Sequence, residues 1–330
     1  MAPVADSGAG ELRVPGGVLF SGLSCYTANL LAYLDSFDDT ALDRFADSVR
    51  LAVRPDDLAF SHHRTPLDVL PDGSLLRYAA GPGWEAELDR WGRVVVAVDN
   101  ARLPWSPSYG TSETAPHWLL VTGRDGDSWR VVDHFAGLLP TGEQQPFEGT
   151  LSTEVLLRAM DGPEVLSPVQ ARRNSLVFGH VVAVPEGGRK WLRREVGAAV
   201  GVASGPRLHS PTGVRRSPAE VGQNGGRWLV GAADVVPFLS DLFRRDPAVA
   251  AGCLDDLWSA AGHHVFRYRR AGVEDAADAW RQLPGALRFA VDSARRGRPR
   301  ESLVELTFRN LLHIESGQDG VLPSRGRTAR

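Results

Sequence analysis

The chain has 330 residues and carries 37 Lys and Arg against 40 Asp and Glu, a net charge of −3. That near-balance offers nothing to a phosphate backbone or an anionic membrane surface, and the length fits one large domain or two ordinary ones. Two cysteines, Cys25 and Cys253, are too few for a disulfide framework, no apolar run approaches the roughly 20 residues of a membrane span, and Met1-Ala2-Pro3 lacks the layout of a signal peptide, so a reducing cytoplasm is the expected compartment.

In chain order, Phe20-Ser21-Gly22-Leu23-Ser24 reads as a turn running into a helix that begins at Cys25. Asp38 and Asp39 can cap a second helix, with Leu42, Phe45, Ala46 and Val49 on one face. Residues 51–83, broken by Pro55, Pro66, Pro71, Gly73 and Gly81-Pro82-Gly83, read as irregular, and a short helix follows around Trp84–Trp91. Val94-Val95-Val96-Ala97-Val98 has the look of a buried strand. The apolar runs at 118–122 and 129–135 flank Gly123-Arg124-Asp125-Gly126-Asp127, a hairpin signal. A further strand is expected over 176–184.

Beyond about residue 188 the character changes. Residues 201–226, rich in Gly, Ser, Pro and Arg, read as a long loop whose Arg207, Arg215 and Arg216 either meet an acidic partner or simply face solvent. Asp246-Pro247 is a cap and first helical position for a helix running to about 260. Residues 273–296 continue in helix with a break at Pro284-Gly285, and another helix starts at Pro299 with Leu303, Leu306, Asn310 and His313 on one track beside Leu311 and Leu312. The expected organisation is an α+β domain over 1–187 with an antiparallel sheet, a helical region over 188–315 lining its cleft, and a disordered tail over 316–330.

The chemistry-bearing residues are Cys25, His117 and Asp133. A thiol at a helix N-terminus meets unpaired N–H groups and the positive end of the macrodipole, both of which favour thiolate. With the hairpin turn centred on Asp125, His117 lies directly opposite Asp133, their Cβ atoms about 4.5–5.5 Å apart. Asp133 then orients the ring and stabilises the imidazolium, His117 shuttles the thiol proton, and the Cys25 N–H supplies one oxyanion donor. Asp99 and Asn100, at the end of the 94–98 strand, are candidate substrate-binding residues together with Tyr26 and Asn29. Each of these residue types is also common as packing, cap or turn, and it is their joint order that carries the inference. His62-His63 and His263-His264 are adjacent pairs that cannot both face one metal from a regular element, so structural or surface roles are expected. Cys253 is expected in a helix interior. No CxxC or HExxH spacing suggests a metal, and no Lys-Ser/Thr follows the glycines at 222–226 to make a phosphate loop.

Ser24-Cys25-Tyr26-Thr27, Val96-Ala97-Val98-Asp99 followed by Leu103-Pro104, and His117…Gly123…Val132-Asp133 resemble the butirosin-biosynthesis (BtrH-like) acyltransferase family. The N-terminal half of that family is similar to papain-like cysteine peptidases. Gly225-Gly226, Gly231-Ala232-Ala233 and Phe238-Leu239 resemble the helical region that accompanies it. The resemblance implies a papain-like fold and transfer of an acyl or aminoacyl group from a carrier-protein thioester to an amine or hydroxyl in antibiotic biosynthesis. It implies no cofactor beyond the phosphopantetheine arm of an acyl or peptidyl carrier protein, and it maps nucleophile, base and orienting acid onto Cys25, His117 and Asp133. The chain departs from the papain pattern at Leu19, where a Gln would supply the second oxyanion donor, and in having the 51–70 segment where a glycine-rich loop is expected. A thioesterase or cyclase would use the same triad, and a carrier-binding scaffold would need none of it.

Overall fold

A computed structural model describes residues 20, 22–139, 141–163, 165–196 and 227–318. The expected 201–226 loop, Leu19 and the tail beyond 318 lie outside the described residues.

The elements follow in chain order: α1 (Cys25–Asp35), α2 (Ala41–Ser48), β1 (Val49–Arg54), β2 (Ala59–His63), β3 (Leu75–Ala80), α3 (Trp84–Trp91), β4 (Val94–Asp99), β5 (Pro116–Asp125), β6 (Ser128–Asp133), β7 (Gly137–Leu139), β8 (Gly142–Gln144), β9 (Phe147–Ser152), α4 (Thr153–Met160) and α5 (Pro168–Leu176). After β10 (Lys190–Glu195) and β11 (Leu229–Val230) come five helices: α6 (Ala232–Arg245), α7 (Pro247–Ala251), α8 (Leu254–Arg270), α9 (Glu274–Arg295) and α10 (Glu301–Gln318). The architecture is α+β with antiparallel sheets. No helix among the described residues is long and apolar enough to cross a membrane.

Two units share the chain, and they are not consecutive halves. The first takes residues up to Tyr33, then Ala80–Glu164 and Gly188–Trp191; the second takes Leu34–Ala79, Val165–Gly187 and everything from Leu192. One crossing between the units does fall at 187/188, but each unit draws chain from both sides of that point.

In the first unit the strands run from the start of β10 (Lys190 and Trp191) through β4, β5 and β6 to β9, every neighbour antiparallel. Valine-rich β4 and the 117–121 stretch of β5 are buried on both faces, as inner strands with helices over them must be. Trp84 of α3 sits edge-on against Trp129 of β6 at 4.6 Å, and Leu156, Ala159 and Met160 bury the inner face of α4.

In the second unit β11, β1 and β2 form a three-stranded sheet beside helices α6–α10. The stretch expected to be irregular thus holds three strands. Its prolines and polar residues fall between them, and Arg54 clamps the β1–β2 turn with two 2.8 Å bonds to Asp57. The strand expected over 176–184 is absent. Gly179 there has φ +86°, a left-handed conformation that ends extended backbone, and a capping box at Ser167 and Gln170 instead starts α5.

Asp246 caps α7 as expected, its side chain accepting from Val249 N at 3.0 Å, but the helix stops at Ala251. Cys253 lies in the resulting break, at the cap position of α8, and not in a helix interior. Conversely, α9 runs unbroken through Pro284. A mid-helix proline costs about 3 kcal/mol, and the burial of Trp280, Leu283, Leu287, Ala290 and Val291 along that helix offsets it. On α10 the buried residues are Val304, Phe308 and Leu311, while Leu306 is 52 % exposed. The expected track through Leu306 is therefore not the buried face. Phe308→Ala should cost about 3–5 kcal/mol in urea unfolding, and Leu306→Ala should stay within about 0.5 kcal/mol; the reverse order would mean that α10 is rotated about its axis.

Candidate active site

Cys25 is the first residue of α1 because Ser24 stops the helix behind it. Ser24 Oγ accepts from Thr27 N at 3.3 Å, and Ser24 O accepts the first helical bond from Ala28 N at 2.8 Å. This is an N-cap, and it leaves the thiol on the positive end of an 11-residue helix. Gly22, with φ +84°, turns the chain into the cap.

His117 is the second residue of β5 and is 3 % exposed. Its Nε2 donates to Asp133 Oδ2 at 2.8 Å, and the Cys25 side chain lies near enough to favour the charged ring. With Nε2 committed to the carboxylate, Nδ1 is the nitrogen left for the thiol. Burial pulls the ring's pKa down, but the Asp133 charge, then Cys25, outweigh it and hold His117 up at about 10.

The register that brings His117 to Asp133 is not the direct opposition expected from a turn at Asp125. The turn is Gly126-Asp127, with Gly126 at φ +57°, so Asp125 pairs with Ser128. Continued unchanged, that register would place Asp133 opposite Leu120, on the face away from His117. Thr122 is an extra residue that shifts the ladder by one, so that Val121 pairs with Val131 and Leu120 with Val132. Asp133 then falls opposite Leu119, on the same face as His117 and diagonal to it. Diagonal partners are about 7–8 Å apart at the backbone, within reach of an imidazole and a carboxylate together.

Asp133 has no exposed surface and five donors. Oδ2 accepts from His117 Nε2, from Trp105 Nε1 at 3.0 Å and from Gln144 Nε2 at 2.8 Å. Oδ1 accepts from Asn29 Nδ2 at 3.2 Å and from the Phe135 N–H at 3.0 Å. Burial alone would raise the carboxyl's pKa; His117 and the surrounding N–H groups reverse that and hold it below the usual carboxylate value.

The four candidate substrate-binding residues are committed to protein partners. Asn29, fully buried, shares its two Nδ2 hydrogens among Cys25 O, Trp118 O and Asp133 Oδ1 and accepts from His134 N, so it ties the nucleophile helix to β5 and to the carboxylate. Tyr26 donates to Pro116 O at 3.4 Å and sets its ring edge-on to Trp118. Asp99 accepts from Ala101 N, and Asn100 Oδ1 accepts from Ala115 N at 2.7 Å. These last two bonds close the 100–115 loop that delivers Trp105, itself stacked on Phe147 at 3.9 Å.

Trp105 and Gln144 carry no sequence signal for this role. Gln144 sits among Glu143, Gln145 and Pro146 and reads as surface, yet it is fully buried. Among the described residues no group of three or more His, Cys, Asp or Glu is arranged to hold a metal ion.

Asparagine is not a mild replacement for Asp133, because both carboxylate oxygens face donors and an amide would turn two N–H groups toward them. Asp133→Asn should destabilise the protein by about 3–5 kcal/mol in urea unfolding; a loss under about 1 kcal/mol would show that the carboxylate is not held as described. The pH dependence follows from the two shifts. His117, raised, adds stability that is full below 6.5 and is lost as pH rises through about 10. Asp133, lowered, adds stability that is full above 3.8 and is lost as pH falls below it. Denaturation midpoints measured from pH 7 to 11 should show the alkaline loss in the wild type and a smaller one in His117→Asn.

No family model matches the chain, and no curated protein matches it.

Proposed function

We propose that the protein is a cysteine-dependent acyltransferase with a papain-like catalytic unit, moving an acyl or aminoacyl group from a carrier-protein thioester to an amine or hydroxyl acceptor. The observation that carries the reading is the buried His117–Asp133 pair beside Cys25, in which the carboxylate favours imidazolium near a thiol at a helix N-terminus.

In the first step the Cys25 sulfur gives its proton to His117 and attacks the thioester carbonyl. A bond forms between carbon and Cys25 Sγ, the bond to the donor sulfur breaks, and His117 returns the proton to the departing thiol. In the second step the acceptor attacks the acyl-enzyme, His117 takes the acceptor's proton, and Cys25 leaves. Thioester exchange is nearly balanced in energy, so the site needs only to position the carbonyl and share one proton. The Cys25 N–H, in the first turn of α1, suits one oxyanion contact. Trp105, Gln144 and Asn29 keep Asp133 in place and away from water. The phosphopantetheine arm belongs to the donor, so the reading calls on no resident cofactor.

Intact-mass analysis after incubation with acyl-phosphopantetheine thioesters tests the proposal. One acyl increment on the Cys25 peptide is expected, and none in Cys25→Ala or in a folded His117→Ala. Absence of any adduct across a panel of donors, or an adduct that persists in Cys25→Ala, would refute it. Alkylation gives a second, independent check. Cys253 is 1 % exposed and burial pushes its thiol up to about 12, so near neutral pH iodoacetamide should label Cys25 first. Preferential labelling of Cys253 would contradict the assignment.

A further inference from the structure

Four of the nine histidines lie together in the second unit. His62 and His63 end β2, and His263 and His264 lie in α8. The His263 ring centroid is 5.0 Å from those of both His62 and His63. Phe45 of α2 closes one side, 5.2 Å from His63 and 5.5 Å from His263. His264 stacks on Trp280 of α9 at 3.9 Å. His63, His263 and His264 are buried, and His62 keeps partial exposure. Gly179 closes the far side of His63: a Cβ there would lie 2.6 Å from the His63 Cβ.

The hydrogen bonds suit neutral rings. Ser48 Oγ donates to Phe45 O at 2.7 Å, so it accepts from His63 Nδ1 at 3.1 Å, which assigns the proton to that nitrogen. Neither nitrogen of His264 has a hydrogen-bond partner. The nearby Glu315 Oε1, 3.8 Å from His264 Nδ1, instead accepts from Tyr268 Oη at 2.6 Å and Trp280 Nε1 at 2.7 Å.

The charges facing the cluster are mostly cationic: Arg50 from β1, Arg64 just after β2, Arg173 from α5 and Arg267 from α8. Three carboxylates stand near: Asp256 of α8, held by two bonds from Arg173, Glu315 of α10, and Asp47 of α2, which acts on Arg64. From α9, the Trp280 ring packs on His264.

We propose that these four imidazoles form an acid-sensitive latch between β2 and α8: neutral, they pack as an aromatic core, and protonated, they repel one another and release α8 from the β1–β2 strands. Burial holds all four rings below their ordinary value, His62 at about 4; neighbouring rings and arginines push the same way, and Asp256 opposes them at His62. The released state therefore binds more protons than the latched one. Stability is whole above about 6.5 and is lost as pH falls from there toward about 4. Each ring contributes up to about tenfold per pH unit to the opening constant, so several together give a steep transition.

Hydrogen exchange of the full-length chain from pH 7.5 to 4.5, corrected for intrinsic rates, tests the latch beside NMR titration of the imidazoles. Protection of the β2 and α8 amides should fall by more than about a hundredfold per pH unit once protonation begins, while β5 and β6 of the first unit hold theirs. The ring signals of all four should change with that loss. Unchanged protection down to pH 4.5, or rings that gain protons while α8 stays protected, would overturn the proposal. A His62→Gln, His263→Gln double variant should lower the steepness by about two protons; should it fail to fold, the wild-type titration decides alone.

Discussion

A carboxylate with no access to water is the constraint on which the candidate site depends. An unpaired buried charge is costly enough that the group would neutralise instead, so Asp133 stays ionised only because five donors converge on its two oxygens. Those donors come from α1, β5, the 100–115 loop, the β7–β8 hairpin and the chain just after β6. Satisfying one carboxylate therefore fixes the relative placement of five segments of the first unit. The same bonds place the imidazole between the carboxylate and the thiol.

The arrangement also separates two kinds of residue that look alike in the sequence. Asn29 and Asp133 are both polar and both fully buried, yet only Asp133 carries a charge for His117 to answer. Asn29 bonds to backbone and carboxylate, so it sets geometry. Asp99 and Asn100 do the equivalent work one step further out, through the loop that carries Trp105.

The thiol, the imidazole and the carboxylate were legible because each sits beside a local signal: a Ser cap for Cys25, an apolar strand for His117, a hairpin for Asp133. Their exact pairing was not. The hairpin turn lies further along than expected, at Gly126-Asp127, and a one-residue bulge at Thr122 corrects the face; a bulge has no composition of its own. Trp105 and Gln144 were illegible because long-range burial, not pattern, decides their roles. The strands at 49–63 were hidden by the prolines and charges between them, and Pro284 failed to end α9 because tertiary burial outweighed a local preference. In the second unit the adjacent histidine pairs could be placed as structural, but their convergence across β2 and α8 needed coordinates.

The central claim is that Asp133 keeps the His117 ring cationic beside Cys25 at neutral pH. Nitrogen-15 NMR of the histidine rings, with the His117 signal assigned by its loss in His117→Gln, tests it most directly. The account predicts an imidazolium at pH 7 that gives up its proton only as pH approaches about 10. A His117 ring already neutral at pH 7 in the folded wild-type protein would contradict it.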